Sequence, residues 1–197
     1  KLGDGHHDDF FQSHMGANPD LSSDVEITGN IFMNRYGVGQ PADTLGPTQC
    51  LSAFEDGPKT RIRITNTVCK GDHWHGITWY DTNDSVIVNN IAVGGSNFAG
   101  LPPGSSSWPN YSWISVDGAG NTIRNNITTR NLSGGDNNIE IQPGEENLYF
   151  ADWLALDLEH APGSPAIDAG NPDGAALYDI EGRPRDAQPD VGAYEAP

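Results

Sequence analysis

The chain has 197 residues with 10 basic and 27 acidic side chains, which gives a formal net charge of −17 at pH 7. An acidic surface repels nucleic acid and anionic membranes, so electrostatics exclude both as partners. No apolar run approaches the length of a membrane span. The length fits one domain, and 24 glycines with 14 prolines favour short strands and turns over long helices.

The first segment, "KLGDGHHDDFFQSH", combines histidines and aspartates with a strand candidate, "DDFFQ", that starts at Asp8. The chain begins directly with this polar cluster, and we therefore expect it to be a processed or truncated product. Acidic clusters of this kind suit calcium, because hard cations prefer oxygen ligands.

Four later segments share an apolar pattern that runs into an asparagine-containing turn. The repeated isoleucines are Ile27, Ile64, Ile87 and Ile123, which follow one another at spacings of 37, 23 and 36 residues. The segments are "VEITGNIF", "RIRITNTV", "SVIVNNIAV" and "NTIRNNITT". Such self-similarity predicts a repeat architecture with loops inserted in two of the units.

A second strand candidate precedes each copy: "DDFFQ", "CLSAFED", "HGITWYD" and "WISVDG". No segment of helical periodicity separates the strands, which favours coiled parallel sheets over a βαβ sheet. We expect about four coils from residue 8 to about 135. Asn30, Asn90 and Asn126 should form a stacked ladder that satisfies backbone groups.

These repeats resemble the turns of the pectate-lyase-like superfamily, and "PGSPAIDAGNPDG" with "DIEGRPRDAQPDVGAYE" is similar to segments that close β-helices of bacterial secreted and surface proteins. The resemblance implies an all-β, right-handed parallel β-helix over residues 1–135, with a closing segment and irregular tail over 136–197. It also implies a secreted or cell-surface protein that acts on a polysaccharide. Four coils are few, so we expect another subunit or a missing N-terminal segment to cover the first coil.

Lyases with this fold act by β-elimination on uronates, which needs a base, an acid and a group that neutralises the carboxylate. The segment "GDHWHGITWYD" supplies His75 as the preferred base, His73 as the other candidate and Tyr80 as the acid. The predicted calcium ligands are Asp8, Asp9 and Glu55. If this site is shared, His75 should lie within about 10 Å of Asp8, Asp9 and Gln12.

Five further residues are predicted to contact an acidic polysaccharide: Gln12, Arg61, Lys70, Trp79 and Asp117. Arg61 and Lys70 carry the positive charge that a substrate carboxylate requires. Trp79 belongs to a group with Trp74, Trp108, Tyr111 and Trp113 that is suited to stacking on sugar rings.

Several alternatives stay open at this stage. Paired carboxylates can support hydrolysis, although the motifs of polygalacturonase-like hydrolases are absent or out of order. His6, His7, His73 and His75 can bind zinc only if they converge. A non-catalytic tailspike, adhesin or surface shaft would use the aromatics for binding alone. Cys50 and Cys69 either form a disulfide or remain free thiols.

Overall fold

The structure, a computed structural model, describes residues 8–13, 22–33, 48–54, 57–71, 73–94, 112–130, 132, 134–142, 144–153 and 155–197. The fold is all-β and built mainly from parallel sheets. Helix α1 (Glu146–Tyr149) has only four residues. Across the described ranges, no helix is long and apolar enough to cross a membrane.

Four parallel sheets, A to D, form the body of the fold. Sheet A contains β1 (Asp8–Ser13), β5 (Thr48–Ala53), β9 (His75–Trp79) and β13 (Trp113–Val116). Sheet B contains β2 (Ser22–Ser23), β6 (Lys59–Thr60) and β10 (Thr82–Asn83). Sheet C contains β3 (Glu26–Thr28), β7 (Arg63–Thr65), β11 (Val86–Val88) and β14 (Thr122–Arg124). Sheet D contains β4 (Ile31–Met33), β8 (Val68–Gly71), β12 (Ile91–Gly94), β15 (Ile127–Thr128) and β16 (Ile139–Glu140).

The chain visits these sheets in a repeating order, so that each unit stacks on the one before it. The first three units each contribute a strand to A, B, C and D, and the described strands of the fourth belong to A, C and D. Ile27, Ile64, Ile87 and Ile123 are aligned partners in sheet C. The repeat alignment inferred from the sequence is therefore confirmed.

The parallel stack continues beyond the boundary that the sequence predicted at residue 135. Ile139 pairs with Ile127 and Glu140 pairs with Thr128, so β16 adds a fifth strand to sheet D. The segment "DNNIE" is thus a further copy of the repeated turn, just beyond the predicted end of the coils at about 135.

The turn between sheets C and D has the same backbone geometry in each unit that the structure describes. One residue adopts a left-handed conformation, with φ between 48° and 66°; these residues are Gly29, Asn66, Asn89, Asn125 and Asn137. Asparagine tolerates this region better than most side chains, which explains why it recurs at this point of the repeat.

The residue that follows the left-handed one in each turn forms the predicted asparagine ladder. The structure confirms this ladder in part. Asn90 Nδ2 donates to Asn126 Oδ1 at 3.0 Å, and Asn126 Nδ2 donates to Asn138 Oδ1 at 3.0 Å. Thr67 occupies the same position in the second unit and separates Asn30 from Asn90. Asn30 instead donates to the carbonyl of Thr28 in its own turn.

The interior between the sheets holds one apolar cluster and a disulfide. Aligned side chains such as Leu51, Ile77 and Ile114 are completely buried there. Cys50 of sheet A is bonded to Cys69 of sheet D, so the disulfide alternative is the one the structure adopts. This bond links sheets A and D within the second unit.

The C-terminal segment folds back along the stack and covers the outer face of sheet D. It includes an antiparallel pair, β17 (Phe150–Asp152) and β18 (Asp157–His160). Its apolar residues pack on Val68, Ile91 and Ile127 in a second cluster. Side chains of the left-handed asparagines hold its backbone; their acceptors are the carbonyls of Tyr178, Asp190, Gly192, Asn171 and Ala169.

Candidate aromatic and histidine site

The outer face of sheet A presents a column of polar side chains. Ile77 and Trp79 point into the core, so Thr78 between them lies on the opposite face. Gln12, Ser52, Thr78 and Ser115 are aligned across the four strands. Trp113 Nε1 donates to Thr78 Oγ1 at 3.0 Å, which places its indole on this outer face.

Six rings gather around this column in a set that we call the aromatic cluster. Its members are Phe54, His73, Trp74, His75, Tyr80 and Trp113. His75 is at the centre, because its ring lies 4.8 Å from His73, 5.0 Å from Phe54, 5.4 Å from Trp113 and 5.7 Å from Trp74. Tyr80 joins through Phe54 at 5.9 Å. His73 is only 2% exposed, and the other five are half-buried.

Backbone contacts fix the two histidines relative to each other. The N–H of His75 donates to Nδ1 of His73 at 3.0 Å. The carbonyl of Trp74 accepts from the N–H of Gly76 at 3.0 Å and from the N–H of Trp113 at 2.8 Å. The segment is therefore anchored to the neighbouring strand rather than carried on a free loop.

A bulge at Gly76 positions His75. Trp113 pairs with His75, whereas Ile114 pairs with Ile77, so one extra residue lies on β9 at this point. A Cβ on Gly76 would lie 2.3 Å from Ser112 Oγ and 2.8 Å from the carbonyl of Trp113. Only glycine fits there, and the bulge turns the His75 ring towards Phe54 and Trp113.

The structure brings the three predicted catalytic residues, His75, His73 and Tyr80, into one cluster. Trp74 and Trp113, two members of the predicted stacking platform, are half-buried in the same cluster. Trp108 and Tyr111 of that platform lie outside the described residues. The sequence did not predict Phe54 as a member of this cluster. Its position after β5 is equivalent to the position of Tyr80 after β9.

The side chains of most predicted metal ligands lie outside the described residues. Asp9 pairs with Gln49, and β5 lies between β1 and β9, so Asp9 and His75 are two strand spacings apart, or about 10 Å. The side chains of Asp8 and Asp9, and all of Glu55, His6 and His7, lie outside the description. Within the described part of the chain, no three His, Cys, Asp or Glu side chains converge as a metal site. Calcium and zinc binding stay predictions.

Two predicted substrate contacts are engaged within the fold, Trp79 in the core and Asp117 in a turn. Trp79 is completely buried in the core and stacks on Phe11 with ring centroids 6.4 Å apart, so its ring faces away from solvent. Asp117 lies in the turn after β13, where a carboxylate oxygen accepts the N–H of Asp81. Gln12 belongs to the polar column. It is aligned with Thr78, which lies three residues after His75 along the strand.

The two predicted cations also lie elsewhere. Arg61 occupies the turn between sheets B and C, where it forms a bidentate ion pair with Asp24 at 2.7 Å. Lys70 lies on the outer face of sheet D under the C-terminal segment, with Nζ 3.2 Å from the ring centroid of Trp153. Burial lowers the pKa of Lys70 to about 7. Neither cation lies beside the histidines.

Comparison of the chain with protein-family models, with curated proteins and with solved structures finds no match. The resemblance to the pectate-lyase-like superfamily therefore rests on the sequence motifs alone.

Proposed function

We propose that the chain is a right-handed parallel β-helix whose sheet A face binds a polysaccharide through the aromatic cluster. The recurrent order of parallel sheets A to D supports the helical path, and crossovers between parallel strands are right-handed in nearly all proteins. The motifs of the C-terminal segment support the same architecture.

The observation that carries the binding proposal is the concentration of half-buried rings on one face. Trp74 and Trp113 lie 6.1 Å apart, with His75 against both. Aromatic faces stack on the apolar faces of sugar rings. Within the polar column, Gln12 is exposed and Ser115 is half-buried and both can hydrogen-bond a ligand, whereas Ser52 and Thr78 are buried. A strand scaffold holds this surface more rigidly than a loop would.

The proposed ligand is a uronate-containing polysaccharide, and the proposed setting is the cell surface or the secreted fraction. The Cys50–Cys69 disulfide fits an oxidising compartment. Because the protein carries a net charge of −17, binding an acidic polymer requires a cation, and calcium is the proposed one. Asp8, Asp9 and Glu55 remain its proposed ligands.

The second candidate function is β-elimination at the same site, with His75 as base and Tyr80 as acid. The observation that favours it is the proximity of two imidazole rings, 4.8 Å apart, to a phenol in one cluster. Arg61 and Lys70 are engaged elsewhere, so calcium would have to neutralise the uronate carboxylate. A lyase of this kind should lose activity when calcium is chelated.

The binding proposal is tested by titrating the protein with a panel of neutral and uronate-containing polysaccharides, with and without calcium. Trp113→Ala should weaken binding about tenfold, in line with the loss of one stacking ring. Tyr178→Ala is the control, because this ring is exposed on the C-terminal segment. Equal binding by both variants and the wild type would reject the site.

Formation of an unsaturated uronate, followed by its ultraviolet absorbance, separates the two candidates. Absorbance that rises with the wild type and not with His75→Gln supports elimination. Saturable binding without any product supports a binding module.

A further inference from the structure

Lys59 of sheet B is completely buried and binds the backbone of two neighbouring units. Its Nζ donates to the carbonyls of Phe54 at 2.8 Å and Gly57 at 3.0 Å in its own unit, and to the carbonyl of Tyr80 at 3.1 Å in the next unit. An ammonium group has three hydrogens to donate, and its burial is costly unless such partners are supplied. Lys59 therefore ties two turns of the stack together through charge-assisted hydrogen bonds.

The equivalent positions in the neighbouring units hold hydroxyl side chains instead of a lysine. Ser22 and Thr82 are aligned with Lys59 in sheet B. Thr82 Oγ1 donates to the carbonyl of Tyr80, two residues before it, at 3.1 Å. A hydroxyl is thus enough for the local bond in this turn. The longer side chain of Lys59 adds the bonds to Phe54 and to the next unit.

The carbonyls that this longer reach secures belong to two members of the aromatic cluster. Phe54 directly follows the last residue of β5, and Tyr80 directly follows the last residue of β9. The Phe54 ring joins the other rings, because it lies 5.9 Å from Tyr80 and 5.0 Å from His75. Both rings leave the sheet just after their strands end, so the turn that follows determines where they lie.

We propose that Lys59 is a positioning residue of the aromatic cluster, which holds the backbone of Phe54 and Tyr80 so that their rings are set against His75 before a ligand arrives. Lys59 is completely buried and acts through these rings without touching the ligand. A preformed surface binds more tightly, because less conformational freedom is lost on binding. The benefit to binding rests on the proposed polysaccharide site, whereas the ring geometry can be measured without it.

The first test follows the ring protons of His75 by NMR in the protein without ligand. The ring current of Phe54 shifts these protons, and Phe54→Leu gives their values when that ring is absent. Lys59→Thr, which copies the side chain of the equivalent Thr82, should move them towards the Phe54→Leu values. Lys59→Met is measured alongside, because it fills the space without donating. The ring protons of His160 in β18 should keep their wild-type values and report an intact fold.

The second test measures polysaccharide binding by the same variants. Lys59→Thr should weaken binding about tenfold in the wild type and in a Trp113→Ala background, and far less in a Phe54→Leu background, where the ring that it positions is missing. Ser85→Ala is the matched control. Ser85 is also buried, and its hydroxyl also bonds the backbone of two units, but in the turn between sheets B and C. This variant should leave both readouts unchanged.

Unchanged His75 shifts in both Lys59 variants would overturn the positioning role. An equal loss of binding with and without the Phe54 ring, or the failure of both variants to fold, would also overturn it and make Lys59 a general requirement of the fold. Shifts that move with no loss of binding would show that the ring geometry does not serve the ligand. Shifts that move while no polysaccharide binds the wild type would reject the polysaccharide site and still support Lys59 as the residue that positions the rings.

Discussion

Replacement of Asn126 by alanine should destabilise the protein far more than the same change at Asn30. Asn126 is completely buried. Its Nδ2 donates to the carbonyl of Ile87 at 2.8 Å, and its Oδ1 accepts the backbone N–H of Asn90 at 2.9 Å. Its further bonds to Asn90 and Asn138 side chains extend the ladder in both directions.

Alanine removes the partners of at least two buried backbone groups, each of which costs about 1–3 kcal/mol when left unsatisfied. We expect the free energy of unfolding to fall by about 4 kcal/mol. Asn126→Asp should be at least as harmful at neutral pH, because a carboxylate cannot donate to the carbonyl of Ile87 and carries a buried charge.

Urea unfolding followed by circular dichroism measures this difference, and Asn30→Ala is the matched control. Asn30 belongs to the same repeated turn, but its amide donates only locally to the carbonyl of Thr28 at an exposed site. Its replacement should cost less than about 1 kcal/mol. Equal losses for the two alanine variants would show that the ladder contributes nothing beyond the local turn.

Three further predictions concern the scaffold. Reducing the Cys50–Cys69 bond should lower the free energy of unfolding by about 3 kcal/mol, because the bond closes a loop of 19 residues; an unchanged urea midpoint under reductant would contradict this. Gly76→Ala should cost about 2 kcal/mol and weaken polysaccharide binding, because its methyl group has no space; unchanged melting and binding would refute the role of the bulge. The pKa of Lys70 is lowered from 10.5 to about 7, so the unfolded chain binds more protons between these values and stability should rise with pH across that window. Lys70→Met should abolish this rise, and a pH dependence equal to that of the wild type would be the contrary result.

The periodic part of the fold could be predicted from the sequence because the same physical constraint recurs in each unit. Every turn between sheets C and D needs a left-handed residue, and asparagine fills it in four of the five units. The fifth unit could not be predicted from the repeat spacing, because Ile139 follows Ile127 by only 12 residues, which is too few for a full repeat.

The site was predicted less completely because side-chain direction depends on a bulge and on distant segments. Strict alternation along β9 would point the side chain of His75 to the same face of the sheet as those of Ile77 and Trp79. Only the bulge at Gly76 turns it to the other face. The burial of Lys70 depends on Trp153, which comes from a segment far along the chain. No local pattern in the sequence contains that contact.

Hydrogen exchange of the polysaccharide-saturated protein, compared with the free protein, tests the proposed site most directly. The account predicts slowed exchange in residues 73–80 and 113–115, with no change in residues 59–65 of sheets B and C. Saturable binding that protects a different face, or the absence of binding to every polysaccharide in the panel, would contradict it.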